Sequence, residues 1–103
     1  MKNSIRITFL YAEITTYLFG CLKYLAKNFS QYSVEVIYLN KSVNVKLSEL
    51  KQYEFRDKNS FNSRKNLLNH LEANIPNILL VSGRIDKDYL FVTKKIKTRC
   101  TTV

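Results

Sequence analysis

Ile5-Arg6-Ile7-Thr8-Phe9-Leu10-Tyr11-Ala12-Glu13 leads straight into an amphipathic stretch from Ile14 to Phe29. In the first segment Ile5, Ile7, Phe9 and Tyr11 alternate with Arg6 and Thr8, while Leu10 makes its end apolar on both faces, as in a central strand. In the second, Ile14, Leu18, Cys21, Leu22, Leu25 and Phe29 fall on one stripe at helical spacing, with Lys23 and Lys27 opposite. A strand delivered into a helix begins an α/β domain, and such domains bind ligands at the carboxyl ends of their strands. Glu13 stands at that junction.

Outward from this unit, Ser30 to Ser33 is a polar break, and Val34 to Leu39 is rich in β-branched and aromatic residues, a second strand. Strand, helix, strand is a right-handed crossover with the two strands parallel and adjacent. Between Lys41 and Ser63, Val43, Val45 and Leu47 alternate, and Tyr53 to Arg56 suits a short edge strand. Ser63 to Ile75 carries Leu67, Leu68, Leu71 and Ile75 on one face and is a second helix, stopped by Pro76, with His70 on the flank of that face. Ile78 to Val81 is a short apolar run of the kind that parallel strands show when both faces are covered. Asp86 caps a third helix from Lys87 to Lys97 with Tyr89, Val92 and Ile96 as its buried stripe, and Thr101 to Val103 begins a fifth strand. The pattern predicts one three-layer α/β domain over residues 1–103, with a mostly parallel sheet in the order 3-2-1-4 and then the fifth strand.

Composition narrows the classes of function. At 103 residues and 46% hydrophobic content the chain has room for one small domain with a genuine core. Its net charge of +9 favours anionic partners. Two cysteines, Cys21 and Cys100, belong to no CxxC or His-rich pattern, so neither a metal site nor a disulfide framework is indicated, and reduced thiols in the cytoplasm are expected. No apolar run approaches the roughly 18 residues of a membrane span, and the start lacks the apolar core and cleavage site of a signal peptide. Neither GxGxxG nor GxxxxGK[ST] occurs, so no dinucleotide or P-loop cofactor is expected. His70 has no Cys or acid at ligand spacing and reads as a surface or boundary helix residue.

Site residues follow from position. Glu13, Thr15 and Thr16 follow the first strand and Ser82, Gly83, Arg84 and Asp86 the fourth, and turns after neighbouring parallel strands line one crevice. There Glu13 accepts hydrogen bonds from ligand hydroxyls, Ser82 and the Gly83 backbone donate them, and Arg84 holds an anion, while Asp86 serves first as a helix cap. No residue is assigned a catalytic role.

The same residues carry a family resemblance. Phe9 to Glu13 with Tyr17, Leu22 to Lys27, Val34 to Tyr38 and, most specifically, Val81-Ser82-Gly83-Arg84-Ile85-Asp86-Lys87-Asp88-Tyr89-Leu90 resemble the amino-terminal, Rossmann-like part of GT-B glycosyltransferases of family 4, also called glycosyl transferases group 1. In that group the amino-terminal domain usually holds the acceptor and a second domain the nucleotide-sugar donor. The resemblance implies acceptor-side roles for Glu13, Thr15, Thr16, Ser82, Gly83 and Asp86, and a domain that stops short at its carboxyl end without its donor half, inactive alone. Two positions depart from the group: Ile14-Thr15-Thr16 stands where glycine is frequent, and Arg84 where an aromatic is common.

The alternative is a non-catalytic basic module that sits on an anionic membrane or, less favoured, on nucleic acid, with Lys94, Lys95, Lys97 and Arg99 clustered near one end of the sheet. A receiver-like domain ranks last, because it needs clustered acids after the first strand. An uncovered sheet edge leads to an expectation of self-association.

Overall fold

The computed structural model describes residues 5–82 and 86–103. Five strands form one all-parallel sheet, β1 (Arg6–Ile14), β2 (Ser33–Lys41), β3 (Glu54–Asp57), β4 (Ile78–Val81) and β5 (Thr101–Thr102), in the order β3-β2-β1-β4-β5. The expected order is thus present, with β1 at the centre between β2 (Phe9 opposite Val36) and β4 (Phe9 opposite Leu80).

Pleating of β1 and β2 divides the core. Ile7, Phe9, Val34 and Val36 face α1 (Thr16–Asn28), whose Phe19, Leu22 and Ala26 pack on them. Leu10 and Ile37 face α2 (Arg64–Ala73) and α3 (Lys87–Ile96), meeting Leu67, Leu71, Tyr89, Val92 and Ile96. One helix covers the first face and two cover the second, which makes three layers.

Several boundaries differ from the sequence expectation. Ile14 closes β1 as a fully buried residue instead of opening the helix, because Ile14 still pairs with Lys41 in the ladder. The helix starts one residue after Thr15, whose side chain accepts a hydrogen bond from the Leu18 amide at 3.0 Å. Cys21 is exposed instead of lying on the buried stripe, and Phe29 is partly exposed past the helix end. The edge strand sits one residue further on than expected, and Val43 to Leu47 do not continue an alternating strand: Val45 is buried, Val43 is exposed, and a 3-10 turn follows at Leu47–Leu50. Helix α2 is shorter than expected at both ends, with Ser63 as its cap, its side chain accepting from the Asn66 amide.

His70 is not a simple boundary residue. Glu35, on the α2/α3 face of β2, is fully buried, and its carboxylate is 3.0 Å from Arg6 Nη2, 2.7 Å from Arg56 Nε and 2.7 Å from His70 Nε2. A carboxylate only accepts, so His70 Nε2–H donates. The cluster ties β1, β2, β3 and α2 together at the amino half of the sheet, with Glu54 as an outer acid beside both arginines.

Candidate functional site

The β1–α1 junction places the candidate site. Because β1 runs to Ile14 and Thr15 then caps the helix, Glu13 is an exposed residue of the last strand turn, opposite Asn40 of β2. It is therefore neither in a loop nor a helix cap. Tyr11 lies two residues earlier on the same face and stacks edge-on with Phe9, their ring centres 5.6 Å apart. Across the sheet β4 ends at Val81, and the Ser82 amide donates to the Leu10 carbonyl at 2.9 Å, which draws Ser82 against the carboxyl half of β1.

These residues surround an open cavity of about 380 Å³ at the carboxyl edge, lined by Tyr11, Ala12, Glu13, Thr15, Tyr17, Leu18 and Ser82. Its size is at the lower end of small-ligand sites. Of the residues expected from sequence, Glu13, Thr15 and Ser82 line this cavity. Thr16 does not: it lines a second hollow on the outer side of α1 with Tyr17, Gly20, Cys21 and Tyr24. Gly83 and Arg84 lie outside the described residues. Asp86 is the cap of α3, accepting from the Tyr89 amide at 2.9 Å, and is not among the residues lining the cavity. No family model matches the chain, and no curated protein or solved structure does either.

A brace of charged and polar groups behind the cavity escaped the sequence reading. Lys58, in the 3-10 turn after β3, donates to Asp88 at 2.6 Å and lies 3.7 Å from Asp86, while Arg64 at the start of α2 reaches Asp88 at 3.1 Å. The hydrogen bond from Lys58, aided by the Lys58 and Arg64 charges, holds Asp88 below the usual carboxylate range against the opposing effect of desolvation. These contacts fix the first turn of α3.

Tyr89 anchors the same helix from inside. Its ring is fully buried, and its hydroxyl lies 2.9 Å from the Tyr11 carbonyl and 3.1 Å from the Ile37 carbonyl, within both central strands. Burial, with the Asp86 and Asp57 charges adding, pushes its phenol far above the ordinary value, so it stays a neutral donor. Tyr38, beside Tyr11 in the ladder, is likewise pushed up, by desolvation first and by Asp57 second. The periodicity exposed Tyr89 as core, but nothing local marks Lys58, which depends on a partner thirty residues away in sequence.

Chemically the crevice offers one carboxylate, two hydroxyl side chains and two tyrosines in a shallow space open to solvent. Such a set suits hydrogen bonding to hydroxyl groups with a ring stacked on an aromatic face. Among the described residues no three His, Cys, Asp or Glu side chains come together as a metal site.

Proposed function

We propose that this chain is the acceptor side of a GT-B-type glycosyltransferase, holding a hydroxyl-rich acceptor in the crevice at the carboxyl edge of its sheet while a second domain supplies the nucleotide-sugar donor. The observation that carries the reading is the convergence of Glu13, Thr15 and Ser82 with Tyr11 and Tyr17 around one cavity where β1 and β4 end. The motif that resembles this family over residues 81–90 begins at the last residue of β4 and continues into α3, so the two lines of support meet at one place.

In this reading Glu13 accepts from acceptor hydroxyls, Thr15 and Ser82 exchange hydrogen bonds with them, and a tyrosine ring covers the apolar face of the sugar. The chain acts by binding and orienting. Its own residues are given no step in the transfer.

Amide shifts followed during titration with a panel of monosaccharides and nucleotide sugars test this. Shifts are expected at residues 11–18 and at Ser82, and Glu13→Gln should weaken the ligand by roughly 1.5 to 3 kcal/mol, the cost of one charge-assisted hydrogen bond. The fold should survive, because Glu13 is exposed. Shifts confined to the opposite edge, near Ser30 to Ser33 and Asn74 to Asn77, would place the ligand elsewhere and refute the reading.

A further inference from the structure

The outer ridge of α1, the side turned away from the sheet, does not resemble an ordinary solvated helix face. Tyr17 and Tyr24 are 82% and 65% exposed. They stand seven residues apart on one side of the helix, roughly 10 Å along its axis at the α-helical rise. Between them lie Gly20 and the exposed thiol of Cys21. A Cβ on Gly20 would meet nothing within 4 Å, so the missing side chain leaves an open hollow, about 380 Å³ in volume, between the two rings. Beside the start of the helix, where the Ser42 amide bonds to the Ile14 carbonyl, Val43 is 92% exposed.

The charges of this helix have one sign. Thr16–Asn28 contains Lys23 and Lys27 and no carboxylate. Lys23 lies 3.6 Å from Glu49, a half-exposed acid of the following segment, and 5.2 Å from the centre of the Phe19 ring. Lys27 has no ion-pair partner among the described residues. By helical spacing Lys27 follows Tyr24 by three residues and Gly20 by seven, so it shares their side.

We infer that this ridge is a contact surface for an anionic lipid bilayer. Tyrosine is suited to the headgroup layer, where its ring enters the apolar boundary and its hydroxyl stays hydrated, and lysine stems lie along that boundary with their charges at the phosphates. An exposed apolar ridge on a helix that carries two lysines and no carboxylate of its own matches an anionic surface in both respects, with Glu49 beside Lys23 as the nearby acid and Lys27 left to the phosphates. A second copy of the chain matches in its apolar part but not in charge: packing two such ridges together sets Lys23 and Lys27 against their equivalents with no carboxylate on either helix, between molecules that each carry a charge of +9. The surface differs from the Lys94–Arg99 cluster that the sequence alone brings forward, since that cluster carries charge without exposed tyrosines. It shares Tyr17 with the crevice, whereas Gly20, Cys21 and Tyr24 line this hollow alone.

The chain has no tryptophan, so a single Tyr24→Trp substitution is a clean reporter, with Lys94→Trp as its counterpart on α3. Mixed with vesicles of 30% phosphatidylserine in phosphatidylcholine at low salt, the Tyr24→Trp protein should shift its emission to the blue and be quenched by brominated lipid. Pure phosphatidylcholine should give neither effect. In co-sedimentation without a reporter, Tyr17→Ser with Tyr24→Ser should lower binding at least tenfold, and Lys23→Gln and Lys27→Gln should each lower it roughly fivefold. Circular dichroism should show all of these variants folded, because the altered side chains face solvent. The inference is overturned if the Lys94→Trp reporter responds and Tyr24→Trp does not, or if the tyrosine pair changes nothing. It is also overturned if light scattering shows a dimer that Tyr24→Ser dissociates, or if duplex DNA or an acidic peptide binds more tightly than the vesicles.

Discussion

Replacing Glu35 by glutamine removes one buried negative charge and keeps the shape of the side chain. The wild-type carboxylate, only 1% exposed, accepts from Arg6, Arg56 and His70. Three charge-assisted hydrogen bonds at roughly 1.5 to 3 kcal/mol each would overstate the loss, because the amide oxygen retains one acceptor. Arg56 is 43% exposed and keeps Glu54 as a neighbour, so it can turn to water. Arg6, although it too lies near Glu54, has less freedom: its side chain is 22% exposed and its Nε is already buried without a partner. The expected cost is therefore about 3 to 5 kcal/mol, the range for removing one member of a buried ion pair. Against a total of about 5 to 15 kcal/mol for a domain this size, that is roughly a fifth or more of the stability. The transition midpoint should fall by roughly 20 °C, at ~4 to 8 °C for each kcal/mol. Urea unfolding followed by far-UV circular dichroism measures it, and a loss below about 1 kcal/mol would refute the account of the cluster. A companion triple variant, Arg6→Met with Glu35→Leu and His70→Leu, should recover to within roughly 2 kcal/mol of wild type, since buried ion clusters are often replaceable as a whole by apolar groups.

Removing the Tyr89 hydroxyl by Tyr89→Phe leaves the Tyr11 and Ile37 carbonyls without that donor and should cost about 1 to 2 kcal/mol in urea unfolding. Because the folded phenol is held neutral above the ordinary 10.0 of the unfolded chain, its stabilising effect is complete below pH 10 and declines as pH rises beyond it; thermal melts of wild type and Tyr89→Phe should converge in that alkaline range. Asp88 works in the opposite sense: its folded value is depressed below 3.8, so its contribution is present above that pH and is lost as pH falls further, and Asp88→Asn should flatten the acid limb of a stability–pH curve. Gly20→Ala should stabilise the domain by roughly 0.5 to 1 kcal/mol, as it fills open space at a helix interior, and a loss of stability on denaturation would contradict that placement.

The order of the central strands was legible because β1, β2 and β4 are apolar-rich runs, and the buried stripe of α3 was legible because Tyr89, Val92 and Ile96 repeat at helical spacing. Ile14 was misplaced for a physical reason: an apolar residue at a strand–helix junction satisfies both periodicities, and only the capping geometry of Thr15 separates them. Glu35 reads in sequence as a polar interruption of an apolar strand; its three partners lie on three other elements, 21 to 35 residues away, so no window of sequence contains the cluster. The crevice was legible as a place, since the ends of β1 and β4 had to converge once their order was known. Which side chains face it was less so, and Thr16 turned to the other side of α1.

The central position of β1 has a consequence for the time course of folding. Its pairing with β2 begins at Arg6 and Ser33, whereas its other edge has no partner until Ile78 exists. As the chain emerges from the ribosome, β1, α1 and β2 can assemble while the second edge of β1, with its row of free amides and carbonyls, waits for residues synthesised roughly a few seconds later at ~5 to 20 residues per second. Parallel pairings of this sequence separation slow the final closure as well. Nascent-chain aggregation should accordingly peak for lengths between the completion of β2 and the arrival of β4, and a chaperone that shields strand edges should act in that interval.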